Sequence, residues 1–226
     1  MGDKRRIGIY GGTFDPVHLG HIEVAKSVSL LFELDEVLFV PALHAPHKLT
    51  RPVTSHFHRY AMLVLATQDD PGLCVSTFEL EGHDRRYTVE TVAHFLTRFG
   101  DSAQLFFIMG ADSWSEVTTW REWQRLLSMT NHIVVTRPGF DVRSDYLPDS
   151  LRTRIVDLRG RKSQAVVDRT EKGTVFVTDA VMREVSATEI RRAVRENRFA
   201  ELDQLVPGSV AGYLKKYSLY RDSNEP

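Results

Sequence analysis

The chain has 226 residues, 42% of them apolar and 26% charged, which are the proportions of an ordinary soluble globular protein. Lys and Arg total 29 against 30 Asp and Glu, and this balance gives no indication of a nucleic-acid or membrane surface. Cys74 is the only cysteine, which excludes an intrachain disulfide and a cysteine-based metal site. We find no signal-peptide pattern and no apolar window near the roughly 20 residues of a membrane span. We therefore expect a soluble, cytoplasmic protein.

Short β-branched or aromatic runs alternate with longer periodic segments, which is the pattern of an α/β protein. The runs that predict strands are 7–10, 36–40, 74–80, 104–109, 132–136 and 174–178. Helices are predicted over 19–32, 58–67 and 88–98, and a helical C-terminal part over 186–220. Segment 140–173 lacks clear periodicity, and we interpret it as a variable excursion within a single domain spanning 1–226. The sequence predicts a Rossmann-like α/β fold in which helices flank a parallel sheet.

The first predicted strand ends in Gly11-Gly12 and leads through Thr13-Phe14-Asp15-Pro16-Val17 into a helix. Glycines there allow the backbone to approach a phosphate, and a helix start presents N–H groups and a positive dipole end. His18 and His21 are three residues apart, so both can face one ligand and donate hydrogen bonds to phosphate oxygens. Gly20 keeps the helix start open to a bulky nucleotide. Taken separately, a Gly-Gly turn and a solvated histidine pair are also common without any ligand.

The string 11–21 resembles the first motif of nucleotidyltransferases with a His-x-Gly-His signature. Its form, Gly-Gly-Thr-Phe-Asp-Pro-x-His-x-Gly-His, is typical of the bacterial nicotinate-nucleotide adenylyltransferases. Pantetheine-phosphate adenylyltransferases usually carry Thr where this chain has His18, so His18 favours the pyridine-nucleotide branch. The resemblance implies that the phosphates of ATP rest on the two histidines. It also implies ATP contacts for other residues of the motif, namely Gly11, Gly12, Thr13, Phe14 and Gly20.

A second motif opens the helix after the last predicted strand. Ser186 as N-cap and Glu189 three residues later predict a capping box. A capping box does not explain Arg191, because a cation near a helix start is opposed by the helix dipole. An anion bound at this helix start would explain it. Ser186, Thr188 and the first N–H groups would hold the β- and γ-phosphates of ATP, with Arg191 adding charge. Residues 185–191 resemble the family's Ile-Ser-Ser/Ala-Thr-x-Ile-Arg motif, with Val185 as a departure.

Intermediate positions resemble family elements that fix the substrate. Lys48, in Ala45-Pro46-His47-Lys48, matches an element that reaches over the phosphates. Tyr87-Thr88 resembles an element that helps to bind nicotinate mononucleotide, although Tyr87 packing and Thr88 capping its helix would explain the pair equally. Gly110 precedes Asp112 at the carboxyl edge of the sheet, where Asp112 is placed either to accept hydrogen bonds from a ribose or to cap a helix.

A helix predicted from Gly110-Ala111-Asp112 through Leu127 carries three tryptophans. By its place in 119–123, Trp120 matches the family's ring-stacking residue, and we expect Trp123 to pack inside. Arg121 stands where the family often has an aromatic residue. Our hypothesis is that Arg121 approaches the nicotinate carboxylate and favours the acid over the amide. Thr13 and Lys48 complete the expected contacts of nicotinate mononucleotide. His58, Arg59 and Met62 also match a family pattern, which packing would explain as well.

The resemblance covers residues 7–220 and implies that ATP and nicotinate mononucleotide give deamido-NAD and pyrophosphate, a step of NAD biosynthesis. The residues expected to act in catalysis are His18, His21, Lys48 and Arg191. The attacking phosphate is already anionic, so no general base is required. Mg²⁺ is expected to arrive on the ATP phosphates, because no carboxylate cluster is suited to hold it alone.

Three alternatives remain open at this stage. The acceptor could be nicotinamide mononucleotide or phosphopantetheine, although Tyr87-Thr88 and Trp120 argue against the second. A non-catalytic nucleotide sensor on the same fold would bind ATP without releasing pyrophosphate. We expect a monomer or a small homo-oligomer that binds neither nucleic acid nor membrane.

Overall fold

The computed structural model describes residues 4–43, 53–82, 86–136, 142–160, 172–179 and 185–221. Its strands are β1 (Arg5–Gly12), β2 (Glu36–Pro41), β3 (Leu73–Val75), β4 (Ala103–Gly110), β5 (Asn131–Val135), β6 (Ile155–Asp157) and β7 (Val175–Thr178). They form one parallel sheet in the order β3-β2-β1-β4-β5-β7-β6. The strand order reverses between β1 and β4. Sheets of this kind bind ligands at such a reversal, in the crevice outside the carboxyl ends of the strands.

Helices connect the strands, as parallel pairing requires. They are α1 (Leu19–Phe32), α2 (His56–Thr67), α3 (Thr88–Phe99), α4 (Ala111–Ser115), α5 (Trp123–Met129), α6 (Asp149–Arg152), α7 (Ala187–Arg195) and α8 (Gly208–Lys216). Short 3₁₀ turns lie at Gly100–Ser102, Val117–Thr119 and Phe199–Gln204. The Rossmann-like fold and the helical C-terminal part are confirmed. Among the described residues, no helix has both the length and the apolar character to span a bilayer.

The chain divides into two compact units, each built from three stretches. The first unit comprises Met1–Gly11, Val24–Leu38 and Arg86–Met182. The second unit comprises Gly12–Glu23, Phe39–Arg85 and Arg183–Pro226. The expectation of a single domain over 1–226 stays a prediction.

The core of the first unit lies on the central strands. Ile7 and Ile9 on β1, with Phe106 and Ile108 on β4, are fully buried, which explains why these strands read as continuous apolar runs rather than alternating ones. The Phe32 ring of α1 packs against the rings of Phe106 and Phe176, with centroids 5.9 Å and 5.1 Å away. The sheet therefore has a helix packed on one face at this point.

In the second unit α2 packs on α8. Met62 and Leu63 of α2 and Val210 and Leu214 of α8 are all fully buried. The Ser209 hydroxyl donates to the Leu65 carbonyl at 2.9 Å, which joins the two helices by a polar contact as well.

Two element predictions are wrong. The strand predicted over 74–80 is confined to β3, because the polar residues after it form turns of their own: the Phe78 N–H bonds the Ser76 hydroxyl and the Leu80 N–H bonds the Thr77 carbonyl. The helix predicted through Leu127 breaks into α4, a 3₁₀ turn and α5. The break falls at Val117–Thr119, where three β-branched residues disfavour an α-helix.

The excursion predicted over 140–173 contains regular elements, and its variability within the family stays a prediction. Its described residues include α6 and β6, and β6 pairs in parallel with β7, so that Val156 lies opposite Phe176. A three-residue edge strand is too short to show a period in the sequence. Residues 161–171 of the excursion lie outside the described part of the chain.

Candidate active site

The turn after β1 is shaped by Phe14, which belongs to the second unit. Phe14 has a φ of 50°, an uncommon conformation for a bulky residue, and its side chain is buried. A Cβ on Gly12 would lie 2.8 Å from the tip of the Phe14 ring, so Gly12 makes room for this ring. The same ring meets the His21 ring edge-on, with centroids 5.0 Å apart. Gly12 therefore has a structural role besides the predicted approach to phosphate.

His18 and His21 are brought together at the start of α1. Their rings stack with centroids 3.6 Å apart and planes 23° apart. The backbone N–H of His18 donates to Nδ1 of His21 at 3.2 Å, and the N–H of His21 donates to Nδ1 of His18 at 3.3 Å. Because each Nδ1 accepts, each neutral ring carries its proton on Nε2. Both imidazoles thus have the N–H donor that binding a phosphate oxygen requires.

The N–H groups at the start of α1 are used differently from our expectation. His18 donates its N–H to the His21 ring, and His21 donates to the His18 carbonyl at 2.9 Å as well as to the His18 ring. Leu19 donates to the Leu205 carbonyl at 2.9 Å, and Ile22 donates to the His18 carbonyl at 3.3 Å. These four groups are therefore bonded within the protein, and the expectation of an open set of helix N–H donors is wrong for them. The imidazoles carry the phosphate-binding hypothesis instead.

Arg59 on α2 holds the backbone around the motif. Its side chain is 1% exposed and donates to four carbonyl oxygens, those of Thr54 (2.9 Å), Thr13 (2.7 Å), Ala42 (2.7 Å) and Leu43 (3.3 Å). Burial lowers the pKa of the guanidinium from its usual value, while the Asp15 carboxylate acts in the opposite direction. The matching family pattern is thus explained at Arg59 by carbonyl binding rather than by apolar packing.

Asp15 and Tyr220 are site residues that the sequence reasoning missed. The Asp15 side chain is 3% exposed; its Oδ1 accepts a hydrogen bond from the Tyr220 hydroxyl at 2.7 Å, and its Oδ2 lies 3.8 Å from Nη1 of Arg191. Arg191 also donates to the Asp15 carbonyl and to the Thr188 hydroxyl. Asp15 could have been found from its place inside the first motif. Tyr220 gave no signal, because nothing local links it to a residue 205 positions earlier.

The second motif begins as predicted. Ser186 is the N-cap of α7, and its hydroxyl accepts from the Glu189 N–H at 3.2 Å. Ser186 and Thr188 are exposed, whereas Arg191 is buried. Within the second unit the structure brings Thr188 and Arg191 to the Asp15 end of the first motif. Lys48 lies outside the described residues.

In the first unit, Tyr87 and Arg121 are brought together. The Arg121 guanidinium carbon lies 4.7 Å from the Tyr87 ring centroid, a cation–π distance, and Nη1 lies 3.9 Å from Oε1 of Glu90. The N-cap of α3 is Tyr87, so the alternative that Thr88 caps this helix is wrong. Glu90 forms the cap contact by accepting from the Tyr87 N–H at 2.9 Å, which places its second oxygen near Arg121.

The three tryptophans have different surroundings. Trp114 is the buried one, and its Nε1 donates to the Arg143 carbonyl at 3.2 Å. Trp120 is half-buried and meets the Phe107 ring edge-on at 6.4 Å. Trp123 is also half-buried, so it packs only partly inside. The partial exposure of Trp120 is compatible with stacking on a substrate ring.

Gly11, Gly110 and Asp112 belong to the same unit. A Cβ on Gly11 would lie 3.2 Å from the Phe107 ring, so this glycine also accommodates a side chain. Gly110 is the N-cap of α4, which makes the alternative that Asp112 caps this helix wrong. Asp112 is exposed in the first turn of α4.

Within the described ranges, no group of three or more His, Cys, Asp or Glu side chains is arranged to hold a metal ion.

Two known proteins similar to this chain share one description, that of a probable nicotinate-nucleotide adenylyltransferase. The Cytidylyltransferase-like family model matches residues 9–193. A probable nicotinate-nucleotide adenylyltransferase of Thermoanaerobacter sp. (strain X514) is 38% identical over 225 residues, which are all of this chain and 99% of the relative. A protein of the same description from Thermus thermophilus is 37% identical over 216 residues, 96% of this chain and 100% of the relative.

Among solved structures, Plasmodium falciparum nicotinic acid mononucleotide adenylyltransferase complexed with NaAD superposes with a TM-score of 0.68. The identity is 18%, and the match covers 96% of this chain and 97% of that chain. At this identity the likeness supports the fold.

Proposed function

The chain belongs to the nicotinate-nucleotide adenylyltransferase family, and we propose on that basis that it joins the AMP moiety of ATP to nicotinate mononucleotide. The products are deamido-NAD and pyrophosphate. The observation that carries the proposal is the His18–His21 pair, in which each Nδ1 accepts a backbone N–H, so that Nε2 of each neutral ring is the donor. A fixed pair of N–H donors is suited to stabilising negative charge that develops on phosphate oxygens.

The proposed step is a direct displacement at phosphorus. A phosphate oxygen of nicotinate mononucleotide attacks the α-phosphorus of ATP, and the bond to the bridging oxygen of pyrophosphate breaks in line. The nucleophile carries no proton that must be removed, so positioning and charge stabilisation supply the catalysis. His18 and His21 would bind oxygens of the α- and β-phosphates. Lys48 and Arg191 would hold the leaving pyrophosphate.

The remaining ATP contacts are proposed around these groups. Ser186 and Thr188 are exposed at the start of α7, where hydroxyls can reach the β- and γ-phosphates. Asp112 is exposed and is proposed to accept hydrogen bonds from the ribose. The nucleotide would be lined by backbone of the first motif, at Gly11, Gly12, Thr13, Phe14 and Gly20, and by backbone at Gly110. Mg²⁺ would enter with the ATP phosphates and neutralise part of their charge.

For the second substrate we propose contacts with Thr13, Tyr87, Thr88 and Trp120, and with Arg121 as the group that senses the nicotinate carboxylate. Arg121 lies against the Tyr87 ring, and its side chain is 52% exposed, so its N–H groups can still donate to a carboxylate of the substrate. A positive charge there favours the acid over the amide.

Arg121→Ala should therefore lower the ratio of kcat/KM for nicotinate over nicotinamide mononucleotide by about tenfold. Arg125→Ala, which removes another exposed arginine from the same region, should leave this ratio unchanged. If Arg121→Ala keeps the wild-type ratio, Arg121 does not set the preference.

Pyrophosphate release tests the function itself. The enzyme is incubated with ATP and nicotinate mononucleotide, nicotinamide mononucleotide or phosphopantetheine in separate reactions. The proposal expects the highest kcat/KM with nicotinate mononucleotide. ATP binding without pyrophosphate release from any acceptor would indicate a nucleotide sensor instead. We also propose that the protein is cytoplasmic and is a monomer or a small homo-oligomer. Sedimentation of the purified protein would measure the size of the assembly.

A further inference from the structure

The Asp15 carboxylate is shared between a neutral donor and a cation. Its Oδ1 accepts a hydrogen bond of 2.7 Å from the Tyr220 hydroxyl, whereas its Oδ2 lies 3.8 Å from Nη1 of Arg191. A charge-assisted hydrogen bond between such groups would be about 2.7–2.9 Å long. The Asp15–Arg191 ion pair is therefore longer than a direct hydrogen bond, and Nη1 of Arg191 donates to the Asp15 carbonyl instead, although the Asp15 and Arg191 side chains are only 3% and 7% exposed.

Burial and backbone conformation fix the position of Tyr220. The residue is 3% exposed, its neighbour Leu219 is buried, and its backbone has a φ of 63° in the left-handed region. Burial and the charge of Asp15 raise the pKa of the hydroxyl well above its usual value. The group therefore stays protonated at neutral pH and acts as the donor to Asp15.

We propose that Tyr220 is a positioning residue for ATP: by holding one oxygen of Asp15, its hydroxyl limits how closely this carboxylate pairs with Arg191. The positive charge of Arg191 then remains available to the leaving phosphates. The inference rests on the proposed function, because it assumes that Arg191 serves the phosphates of ATP.

Removal of the hydroxyl has a defined physical consequence. A buried carboxylate oxygen loses this donor, and the guanidinium of Arg191, 3.8 Å from the other oxygen, is a cation that can move closer to compensate. A shorter Asp15–Arg191 pair neutralises more of the arginine's charge and draws it away from Thr188, with which it now shares a hydrogen bond of 3.0 Å. Affinity for ATP and pyrophosphate should fall, whereas affinity for nicotinate mononucleotide should not.

The test is Tyr220→Phe, with Tyr217→Phe as the matched control. Tyr217 is an exposed tyrosine three residues earlier, so the control removes the same hydroxyl from the same segment. KM is measured for ATP and nicotinate mononucleotide in the forward direction and for pyrophosphate in the reverse direction, below the melting transition of each variant. ATP affinity is also measured by calorimetry without acceptor.

Tyr220→Phe should raise KM for ATP and for pyrophosphate, and the Kd for ATP, by about tenfold. KM for nicotinate mononucleotide, and every constant of Tyr217→Phe, should stay within about twofold of wild type. A lower melting temperature with unchanged ATP and pyrophosphate constants would overturn the proposal, as would an equal rise in all KM values. A wild-type protein that binds ATP but transfers nothing would refute the proposed function, while the calorimetric comparison would still decide the role of Tyr220.

A double variant tests the route of the effect. If Tyr220 acts through the Asp15 carboxylate, adding Tyr220→Phe to Asp15→Asn should change the Kd for ATP by less than about twofold. Independent, additive effects of the two substitutions would show that Tyr220 does not act through Asp15.

Discussion

Arg59→Met removes the guanidinium that binds four backbone carbonyls of the second unit while keeping a side chain of similar length. Hydrogen bonds from a charged donor contribute about 1.5–3 kcal/mol each, and a buried carbonyl left without a donor carries a penalty of similar size. These losses fall on the carbonyl of Thr13 within the first motif and on three carbonyls at positions 42, 43 and 54.

The loss is offset in part. Burying a guanidinium costs several kcal/mol of solvation, which the variant recovers, and the methionine stem retains much of the packing. With a side chain 1% exposed and four bonds of 2.7–3.3 Å, we expect a net loss of about 4 kcal/mol in the free energy of unfolding. In urea this corresponds to a midpoint lowered by roughly 1.5 M.

Urea unfolding followed by far-UV circular dichroism measures this difference. Tryptophan fluorescence is unsuited, because all three tryptophans lie in the first unit. Arg192→Met is the control: it removes an exposed arginine from α7 and should change the free energy by less than about 0.5 kcal/mol. Equal midpoints for Arg59→Met and Arg192→Met would refute the reasoning that carbonyl binding by Arg59 stabilises the unit.

Two further predictions concern histidines. His21→Ala should lower kcat more than tenfold, as roughly expected for a lost charge-stabilising donor, while circular dichroism shows a retained fold; near-normal turnover would contradict the proposed mechanism. Burial lowers the pKa of His132 from 6.5 to about 4. The unfolded chain therefore binds this proton first, so the contribution of His132 to stability is complete above pH 6.5 and is lost as the pH falls towards 4. His132→Gln should reduce the drop in unfolding free energy between pH 7 and pH 5 by about 2 kcal/mol, and an unchanged drop would show that His132 is not responsible.

The parts of the site that were predictable are local in sequence. A glycine turn, a helix start and two histidines three residues apart placed His18 and His21 together, since a helix brings such positions to one face. The N-cap at Ser186 was predictable for the same reason, because a capping box is defined by residues three apart. The helix start itself was misjudged, since the acceptor for the Leu19 N–H is a carbonyl of Leu205 on a distant segment.

The parts that could not be predicted depend on tertiary contacts. Arg59 stands in a helix whose pattern indicates only amphipathic packing, and its carbonyl partners are up to 46 residues away. The contact of Tyr220 with Asp15 spans 205 positions and has no local trace. In the first unit, β-branched residues interrupt the helix predicted through Leu127, and β6 joins the sheet with only three residues.

The interleaving of the two units also bears on how the molecule is made. A nascent chain that has emerged up to Met182 already contains every residue of the first unit, whereas the second still lacks its last stretch. That stretch carries Arg191, Tyr220 and the Leu205 carbonyl that receives the Leu19 N–H. Units generally fold once their sequence is complete. The two histidines, although they precede most of the first unit in the sequence, therefore acquire their final surroundings only after the stretch beginning at Arg183 has been synthesised.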